Sequence, residues 1–499
     1  MKLNVKRTFL VGFAFLLISM FWQVYDGTMS ILLVTHFGLN QFWSGVVLAL
    51  DNILALIFLP LFGAWSDKTT SKMGKRKPYI LIGTIVAAVV FIALGFIDKY
   101  QMAALQALNI SDVAKGLDNL YYFTVNGVAQ QFDYNGVAMT YNAVREIVSS
   151  GRADYIFANV TLPNWYYLAA FITILFVVLL AMCSFRTPAV SLMPDVTIKT
   201  HRSKANAIIN AMGTIGGGIS LLLVAVIGTM KATNYATFSY LPLFLVTSAV
   251  MLAMLVVFML LVKEVKWTEE MRRESIELGI ETKESDEIAV GTKGEKMTPE
   301  VRRSFLFILA SVVLWFFSYN AASSKITLYS TEVLGIANYS FPLMIGFVSA
   351  LIAYYPVGIV STKIGRRKTI LGGILVLILG FVLAFVAGIA FFPEWLVFAA
   401  MVFVGVGWAS INVNSYPMVV EMSHGPNIGV YTGYYYSASM FAQILTPIIS
   451  GAIMDAVGMR WSLFPYSIIF AIAAFVTMLF VKHGEPKQIE PVKAPAAAE

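Results

Sequence analysis

Four ionisable residues of this 499-residue chain lie inside long apolar stretches, at Asp26, Asp51, Arg186 and Lys325. A charged side chain in hydrocarbon costs at least about 3 kcal/mol, so such a residue normally faces a water-filled cavity or a partner. A carboxylate in a partly dry cavity binds a proton readily, and an approaching arginine favours release of that proton. Asp51 with Arg186, or Asp26, is therefore a candidate proton-binding switch. The alternative is an ion pair or a helix-packing hydrogen bond without such a role.

Neutral polar residues form a second candidate group within the apolar stretches. They are Gln23, Asn52, Asn210, Tyr319, Asn320, Asn412, Asn414 and Gln443. A polyhydroxylated ligand such as a sugar needs many directional hydrogen bonds and a flat apolar surface, which Trp408 or Trp315 could supply. Together with Lys325, this group predicts a polar binding site, although each member could instead bond to a neighbouring helix.

The composition excludes most soluble functions. Hydrophobic residues make up 58% of the chain and charged residues 13%, whereas soluble domains carry about 25% charged residues. The single cysteine, Cys183, excludes a disulfide scaffold. We find no metal-ligand spacing, phosphate-binding loop or nucleophile elbow, so we expect no enzyme activity, cofactor or metal. The net charge of +7 comes from basic residues clustered in particular loops, and we expect no nucleic-acid partner.

The apolar stretches predict an all-α membrane protein with twelve spans, since a span needs about 20 mostly apolar residues. The first six cover about 8–35, 41–65, 78–97, 164–194, 205–230 and 241–263. The second six cover about 303–330, 340–361, 369–391, 395–422, 429–453 and 461–482.

Basic residues in the short loops predict the orientation of the spans. The loops after spans 2 and 8 hold Lys68, Lys72, Lys75, Arg76 and Lys77, and Lys363, Arg366, Arg367 and Lys368. Short loops on the opposite side hold almost none. Because cytoplasmic loops are rich in lysine and arginine, we expect this side, called the inner side below, and both termini to be cytoplasmic. The expected location is a cell membrane.

The predicted domains follow from the spans. Residues 1–263 form an N-terminal six-helix bundle, which includes an external insertion at 98–163 that is either a small lid or a mobile excursion. Residues 264–302 form a polar linker with a short amphipathic helix starting at Thr268. Residues 303–482 form the C-terminal bundle, and 483–499 are expected to be a disordered tail.

An internal repeat joins the two halves. Residues 60–67, ending in Ser66-Asp67, are followed by Gly74-Lys75-Arg76-Lys77, and residues 356–362 are followed by Gly365-Arg366-Arg367-Lys368. Two six-span halves with matching loops are typical of alternating-access transporters.

Three stretches carry a family resemblance. The pattern from Gly63 to Lys77 resembles the loop 2–3 signature of the major facilitator superfamily. The stretches Lys75–Gly83 and Arg186–Asp195 resemble the sucrose/proton symporters and their bacterial relatives, near the glycoside–pentoside–hexuronide cation symporters. The resemblance implies two pseudo-symmetric six-helix bundles and proton-coupled uptake of a disaccharide or glucoside such as sucrose or maltose, by a monomer in the lipid bilayer.

The resemblance bears on the coupling residues as well. Sugar symporters of this superfamily often place an acid in span 1, which favours Asp26. In the plant sucrose symporters an arginine of span 4 lies close to the Pro-Ala stretch, where this chain has Val190, with Arg186 about one turn earlier. Na⁺-coupled relatives resembling melibiose carriers need two acids one turn apart on span 2, but Asp51 is followed by Ala55. Protons are therefore favoured over Na⁺, and a lipid or drug transporter, the third alternative, would have a less polar cavity.

Six charged residues at the inner helix ends are candidates for gating ion pairs: Asp67, Arg76, Asp195, Arg366, Arg367 and Glu421. We expect Asp67 to form ion pairs with the partner half. Asp195 and Glu421 are candidate partners for Arg76 and for Arg366 or Arg367. Such pairs would brace the outward-open state and break in the inward-open state.

Overall fold

The computed structural model describes residues 4–198, 202–229, 238–277, 298–336, 338–390, 393–422 and 428–485. Twelve helices in these ranges are long and apolar enough to cross a membrane, which confirms the predicted fold class. Spans 1–6 are Val5–Ile31 (continued by a π-helix, Leu32–His36), Gln41–Lys68, Lys77–Ala107, Trp165–Asp195, Arg202–Thr229 and Leu241–Leu261. Spans 7–12 are Pro299–Glu332, Phe341–Ile364, Arg366–Ile389, Glu394–Glu421, Ile428–Val457 and Met459–Leu479. Below, spans 1–6 are the first half and spans 7–12 the second half.

Local sequence sets several helix starts. The side chains of Asn40 and Thr298 accept hydrogen bonds from the backbone N–H groups of Trp43 and Val301, and so cap spans 2 and 7. Span 3 continues ten residues beyond its predicted end at 97. Its extra turns contain Asp98 and Gln101, which are fully buried among polar partners and therefore do not end the helix.

The packing of the spans repeats from one half to the other. In the first half, span 1 packs against spans 5 and 6, span 3 against spans 4 and 6, and span 2 against span 4. In the second half, the same pairs occur with every number raised by six. Between the halves, span 2 packs against span 11, span 5 against span 8, and span 1 against span 7. The two halves are thus related by a pseudo-two-fold axis, as the sequence repeat predicts.

Part of the external insertion forms a compact unit of its own. Three antiparallel hairpins pair β1 (Ala114–Lys115) with β2 (Tyr121–Tyr122), β3 (Thr124–Val125) with β4 (Val128–Ala129), and β5 (Phe132–Tyr134) with β6 (Val137–Met139). Two of the turns are Asn-Gly pairs, Asn126-Gly127 and Asn135-Gly136, with positive φ at both residues. This is the backbone that a tight hairpin requires.

A helix and an apolar core complete this unit. The helix Arg145–Ile156, called the insertion helix below, is followed by a π-helical turn, Phe157–Thr161. Buried side chains from the outer end of span 3, the hairpins and the insertion helix form a separate core that includes Leu105, Phe123 and Val148. The part of the predicted insertion from residue 98 to residue 107 belongs to span 3.

The linker and the tail differ from the expectations. The linker helix is Glu264–Glu277 and begins four residues before Thr268. It starts directly after span 6 because the Glu264 carboxylate binds the backbone of the loop between spans 2 and 3. Residues 278–297 and 486–499 lie outside the described residues. The first residues of the expected tail are docked, since His483 Nδ1 lies 2.8 Å from Ser304 Oγ.

Candidate transport site and gates

Asp26 and Asp51 lie at the same depth on neighbouring spans. Asp26 comes ten residues before His36, the end of span 1, and Asp51 comes ten residues after Gln41, the start of span 2. At about 1.5 Å per residue, both lie roughly 15 Å from the outer helix ends. The two carboxylates interact electrostatically with each other. The backbone N–H and side-chain amide of Asn52 both donate to Asp51 Oδ1 at 2.6 Å.

Arg186 of span 4 completes a charged cluster with the two acids. Its positive charge acts on both Asp26 and Asp51. The guanidinium lies over the ring of Trp22, 5.4 Å from its centroid, a cation–π geometry that stabilises the charge away from bulk water. With both acids ionised, the cluster carries one more negative charge than positive charge, which leaves a place for one proton or monovalent cation.

Aromatic residues of the second half face this cluster. Tyr319 of span 7 interacts electrostatically with Asp26, and Tyr436 of span 11 interacts with Arg186. Tyr319 stacks on Trp408 of span 10, with centroids 3.8 Å apart and an interplanar angle of 7°. One turn further along span 10, Asn412 Nδ2 donates to the hydroxyl of Tyr354 at 3.4 Å. The site therefore has a charged wall and an aromatic wall, one from each half.

The exposure of side chains on both walls indicates a solvent-accessible space between them. Asp26 is exposed, whereas its chain neighbours Tyr25 and Gly27 are buried. An exposed residue of a span faces either lipid or an internal cavity. Asp26 faces a cavity, because Asp51, Arg186 and Tyr319 all act on it. Tyr436, half exposed opposite Arg186, borders the same space.

Gln23 of span 1 lies next to Gly217 of span 5, at a point where the two halves are in contact. A Cβ at Gly217 would lie 3.0 Å from Gln23 Cγ and 3.1 Å from the ring of Phe347 in span 8. Gln23 of the first half and Phe347 of the second half therefore approach each other over this glycine. This places Gln23 three residues from Asp26, on the side of span 1 that faces the second half.

Three further amide side chains of the predicted binding site make no contact with the charged cluster or the stacked aromatic rings among the interactions described above. Asn320 is half-buried, and its Nδ2 is a buried donor without a hydrogen-bond partner among the described residues. Gln443 is half-buried and donates to the Ser439 carbonyl at 3.3 Å. Asn210 is an exposed residue of span 5.

Two predicted binding residues do not face the cavity in this structure. Lys325 is fully buried, and its Nζ donates to Gln41 Oε1 at 2.9 Å and to Ser44 Oγ at 3.2 Å. Asn414 is 1% exposed and donates to the Ser410 carbonyl of its own helix at 2.9 Å. The sequence expectation was wrong here because a polar side chain in a span can satisfy its hydrogen bonds through a neighbouring helix or its own backbone.

The outer ends of the two halves are joined by what we call the outer seal, formed by residues 41–45 of span 2, Lys325 of span 7 and residues 447–455 of span 11. A Cβ at Gly45 would lie 2.0 Å from the Pro447 carbonyl oxygen, and a Cβ at Gly451 would lie 2.3 Å from that of Gln41. The Asp455 carboxylate accepts hydrogen bonds from the N–H groups of Gln41 and Phe42, both at 2.8 Å. Spans 2 and 11 therefore touch backbone to backbone.

The inner ends show a different arrangement. Arg76 Nε donates to Asp195 Oδ2 at 2.7 Å, and its Nη2 donates to Asp67 Oδ1 at 2.5 Å. Asp195 was a predicted partner of Arg76. Asp67 binds within its own half here, and its predicted pairing with the second half stays a prediction for the outward-open state. The reason for the pairing of Asp67 with Arg76 is local: Gly74, at φ +108°, turns the short loop back beneath span 2 and so brings Arg76 to Asp67.

The second half repeats this arrangement more weakly. Arg366 Nη1 lies 3.5 Å from Glu421 Oε2, and both side chains are partly exposed. Arg367 instead donates to the Leu479 carbonyl through Nη2 at 2.6 Å. Every inner-end ion pair among the residues that the structure describes lies within one half, lies within the linker helix, or joins the linker helix to span 1.

Each half carries a carboxylate that caps its third span. Glu264, just after span 6, accepts from the N–H groups of Arg76 and Lys77 at 2.9 and 2.8 Å. Glu485, after span 12, accepts from the N–H groups of Arg366 and Arg367, both at 2.8 Å. A negative charge at a helix N-terminus is stabilising. The sequence repeat at 74–77 and 365–368 thus forms two equivalent carboxylate sites.

Sequence reasoning missed Tyr354, Tyr436 and both capping glutamates. Tyr436 belongs to the run Tyr434-Tyr435-Tyr436, which by sequence favours helix packing. In the structure, the packing residue of this run is Tyr435, which is buried and hydrogen bonded to Ser415. Tyr436 lies one residue, or about 100°, further around the helix. The capping role of the two glutamates could have been predicted from their matching positions, since each follows the sixth span of its half.

These features define a two-half helical membrane protein with a central cavity. Comparison with family models identifies the class. Residues 155–355 and 337–498 match the model described as Major Facilitator Superfamily, and residues 10–108 match the model described as MFS/sugar transport protein. The first match covers more than half of the chain, and the chain belongs to the Major Facilitator Superfamily. The resemblance predicted from the loop 2–3 motif is confirmed.

Similar proteins match this chain over short segments. Sucrose transport protein SUC3 of Arabidopsis thaliana is 37% identical over 59 residues, which are 12% of this chain and 10% of that protein. Sucrose transport protein SUT3 of Oryza sativa subsp. indica is 33% identical over 79 residues, 16% of each chain.

Solved structures match over nearly the whole chain. The inward open conformation of the xylose transporter XylE from E. coli has a TM-score of 0.62 at 15% identity and covers 97% of this chain and 98% of that one. A POT family transporter in complex with 5-aminolevulinic acid has a TM-score of 0.61 at 11% identity, with coverages of 96% and 95%. At these identities the likeness establishes the fold alone.

Proposed function

We propose that the chain is a proton-coupled symporter that takes up a disaccharide or glucoside, sucrose or maltose being the first candidates, by alternating access. The observation that carries the proposal is the pair of acids facing an arginine, on the wall of an accessible cavity between the halves. The short matches to plant sucrose transport proteins and the match to an MFS/sugar transport family model support a sugar as the substrate.

The charged cluster supports proton coupling. Asp26 and Asp51 lie close enough to repel each other, so binding one proton relieves the repulsion. A positive charge close to a carboxylate promotes release of its proton, which is the role we propose for Arg186. A change in the distance between Arg186 and the acids during alternating access would bind the proton on one side and release it on the other.

The aromatic wall supports a sugar ligand. The stacked rings of Tyr319 and Trp408 form a flat apolar surface against which the C–H face of a sugar can lie. Gln23, Asn52, Asn412 and the unpartnered amide of Asn320 supply hydrogen-bond donors and acceptors around that surface. Arg186 and Asp26 could bind further hydroxyl groups of the sugar. Gln443 and Asn210 stay predicted sugar contacts, although no contact of theirs places them at the cavity wall. Lys325 and Asn414 are not proposed as contacts, because both side chains are buried in this structure.

Two other functions remain candidates on the same cavity. A Na⁺-coupled glycoside symporter is favoured by the proximity of two carboxylates, which could hold a cation. It is disfavoured because Ala55, one turn after Asp51 on span 2, supplies no second acid on that helix. A lipid or drug transporter would not need the three charged groups and the amides of the cavity.

Transport in proteoliposomes distinguishes these functions. With an inward proton gradient, uptake of labelled sucrose or maltose should be faster than without the gradient and should fall when an uncoupler is added. A strict Na⁺ requirement would instead assign Na⁺ coupling. Equal uptake with and without the uncoupler would reject proton coupling, and failure of a wider glycoside panel would reject the substrate class. We further propose that the monomer functions in a cell membrane with both termini cytoplasmic.

A further inference from the structure

The insertion helix is firmly attached to the first half. Arg152 Nη1 donates to the Thr35 carbonyl of span 1 at 3.1 Å, and its Nε donates to the Ser111 carbonyl at 2.8 Å. A Cβ at Gly38 would lie 2.3 Å from the Ala153 carbonyl oxygen, so the loop after span 1 packs directly against the helix. The core of the insertion is continuous with span 3. The insertion is therefore part of the first half.

The N-terminus of the same helix reaches the second half. Arg145 Nε donates to the Thr331 carbonyl at the outer end of span 7, at 3.0 Å. The Glu146 carboxylate accepts from the N–H groups of Met459 and Arg460 and so caps span 12, with 3.1 Å between Arg460 N and Oε1. Gly458, at φ +91°, leaves room for this carboxylate, which lies 3.2 Å from the position of a Cβ there.

The charges around these contacts favour a closed interface. Arg460 is 4% exposed, and its guanidinium donates to the carbonyl groups of Gly388 and Val333, at 3.1 and 3.2 Å, which ties span 12 to spans 7 and 9. Its Nε lies 4.0 Å from Glu146 Oε2. Glu332 in span 7 attracts Arg145 electrostatically. Opposite charges thus meet across the boundary between the halves at Arg145 and Glu332 and at Glu146 and Arg460, while the like-charged Glu146 and Glu332 repel each other there.

The two sets of contacts differ in kind. The first half holds the insertion through a buried apolar core and backbone packing. The second half holds it through Arg145 and Glu146, two side chains bound to backbone groups at the ends of spans 7 and 12. A rigid-body opening of the outer side would break the second set and leave the first intact, because polar end contacts can exchange partners with water whereas a packed core cannot.

We propose that the insertion is an outer latch, in which Arg145 and Glu146 hold the outer ends of spans 7 and 12 against the first half. The outer side opens only when the hydrogen bonds of both side chains to these spans break. The latch adds to the outer seal, and it shifts the equilibrium between outward-facing and inward-facing states toward the inward-facing state. Its action does not depend on the identity of the substrate.

Distances across the outer side test the latch. Spin labels are placed on Leu245→Cys in span 6 and Trp395→Cys in span 10, both exposed positions near outer helix ends and away from the insertion, in a Cys183→Ser background. Arg145→Ala/Glu146→Ala should raise the fraction of the longer, outer-open distance at least about fivefold. Thermal unfolding and size-exclusion profiles establish that each variant is folded.

Matched controls separate the latch from other effects. Val128→Ala changes an exposed side chain of β4 in the same insertion and should keep the original distance distribution. Glu146→Gln keeps an acceptor for the two N–H groups and should stay close to the original, whereas Glu146→Ala should not.

Three outcomes would overturn the latch: an unchanged distance distribution in a folded Arg145→Ala/Glu146→Ala variant, an equal shift in the Val128→Ala control, or loss of folding in the double variant and in both single alanine variants. The last outcome would assign these contacts to folding rather than to gating.

Discussion

The outer and inner ends of this protein hold their charged groups in opposite ways. At the outer end, Lys325, Asp455 and Glu146 each bind a group of the other half. At the inner end, Arg76 binds Asp67 and Asp195 inside the first half. Hydrogen bonds therefore join the two halves on the outer side, whereas at the inner end every ion pair of the described residues stays within one half or involves the linker helix.

This difference defines the state of the molecule. A central cavity between the halves can open toward only the side where the halves are not joined. The outer seal closes the route past spans 2 and 11, and we therefore propose that the structure is inward-facing. The inner ion pairs then keep each half rigid as it moves, and an outward-facing state must break the contacts of the outer seal.

The largest expected effect comes from filling the contact of spans 2 and 11. In Gly45→Ala, the new Cβ would meet the Pro447 carbonyl oxygen at 2.0 Å. Overpacking costs about 1–3 kcal/mol, and about 1.4 kcal/mol is a factor of ten in an equilibrium. The ratio of outer-closed to outer-open molecules should fall by about tenfold, as measured by outer distances between spin labels, and uptake should fall with it. Gly218→Ala, where a Cβ meets nothing within 4 Å, is the control; equal losses in both variants would contradict the contact.

Neutralising an acid of the central site should abolish concentrative uptake. Asp51→Asn and Asp26→Asn remove a proton-binding carboxylate from the cavity while leaving both ends intact. The variant of the coupling acid should lose uptake driven by a pH gradient and keep counterflow, since exchange needs no net proton movement. Asp133→Asn, an exposed acid of β5, should keep both activities. If both cavity variants still concentrate sugar, the assignment of the coupling residues is wrong.

The inner ion pairs should affect stability rather than conformational state. Arg76 is 6% exposed at its side chain and binds three partners, so Arg76→Lys should lower the free energy of unfolding by about 1–3 kcal/mol. The equivalent Arg366→Lys breaks a looser, more exposed pair and should cost about 0–1 kcal/mol. Thermal unfolding in detergent measures both. Equal effects, or a shift of the outer distances in either variant, would contradict the contrast between the ends.

The smallest expected effect concerns pH. Burial raises the pKa of Glu264 above its ordinary value of 4.5, and hydrogen bonds from the Arg76 and Lys77 N–H groups oppose the shift. Because the folded pKa is raised, the stabilising contribution of proton binding is fully present below pH 4.5 and is lost as the pH rises through the folded pKa. The melting temperature of the original protein relative to Glu264→Gln should therefore be higher at pH 5 than at pH 8. A pH-independent difference would contradict this.

The sequence predicted the parts of this structure that depend on local composition. The twelve spans and the inner partners Arg76 and Asp195 follow from apolar length, charge and the internal repeat. The rotation of each span about its own axis cannot be predicted from the sequence, because the faces that point to protein, to lipid and to the cavity carry similar apolar residues. For this reason Lys325 and Asn414 were assigned to the cavity, whereas Tyr436 was not.

The external insertion shows a second kind of limit. Its Asn126-Gly127 and Asn135-Gly136 pairs are hairpin signals that could have predicted folded structure there. The contact of Glu146 with the start of span 12 joins residues more than 300 positions apart, and no local pattern encodes that distance.

The central claim, an inward-facing cavity closed at the outer end, is tested most directly by the accessibility of Asn412→Cys in a Cys183→Ser background. A membrane-impermeant thiol reagent added to the inner side of oriented vesicles should label this cysteine rapidly, and the same reagent added to the outer side should not. Labelling from the outer side alone, or from neither side, would contradict the account.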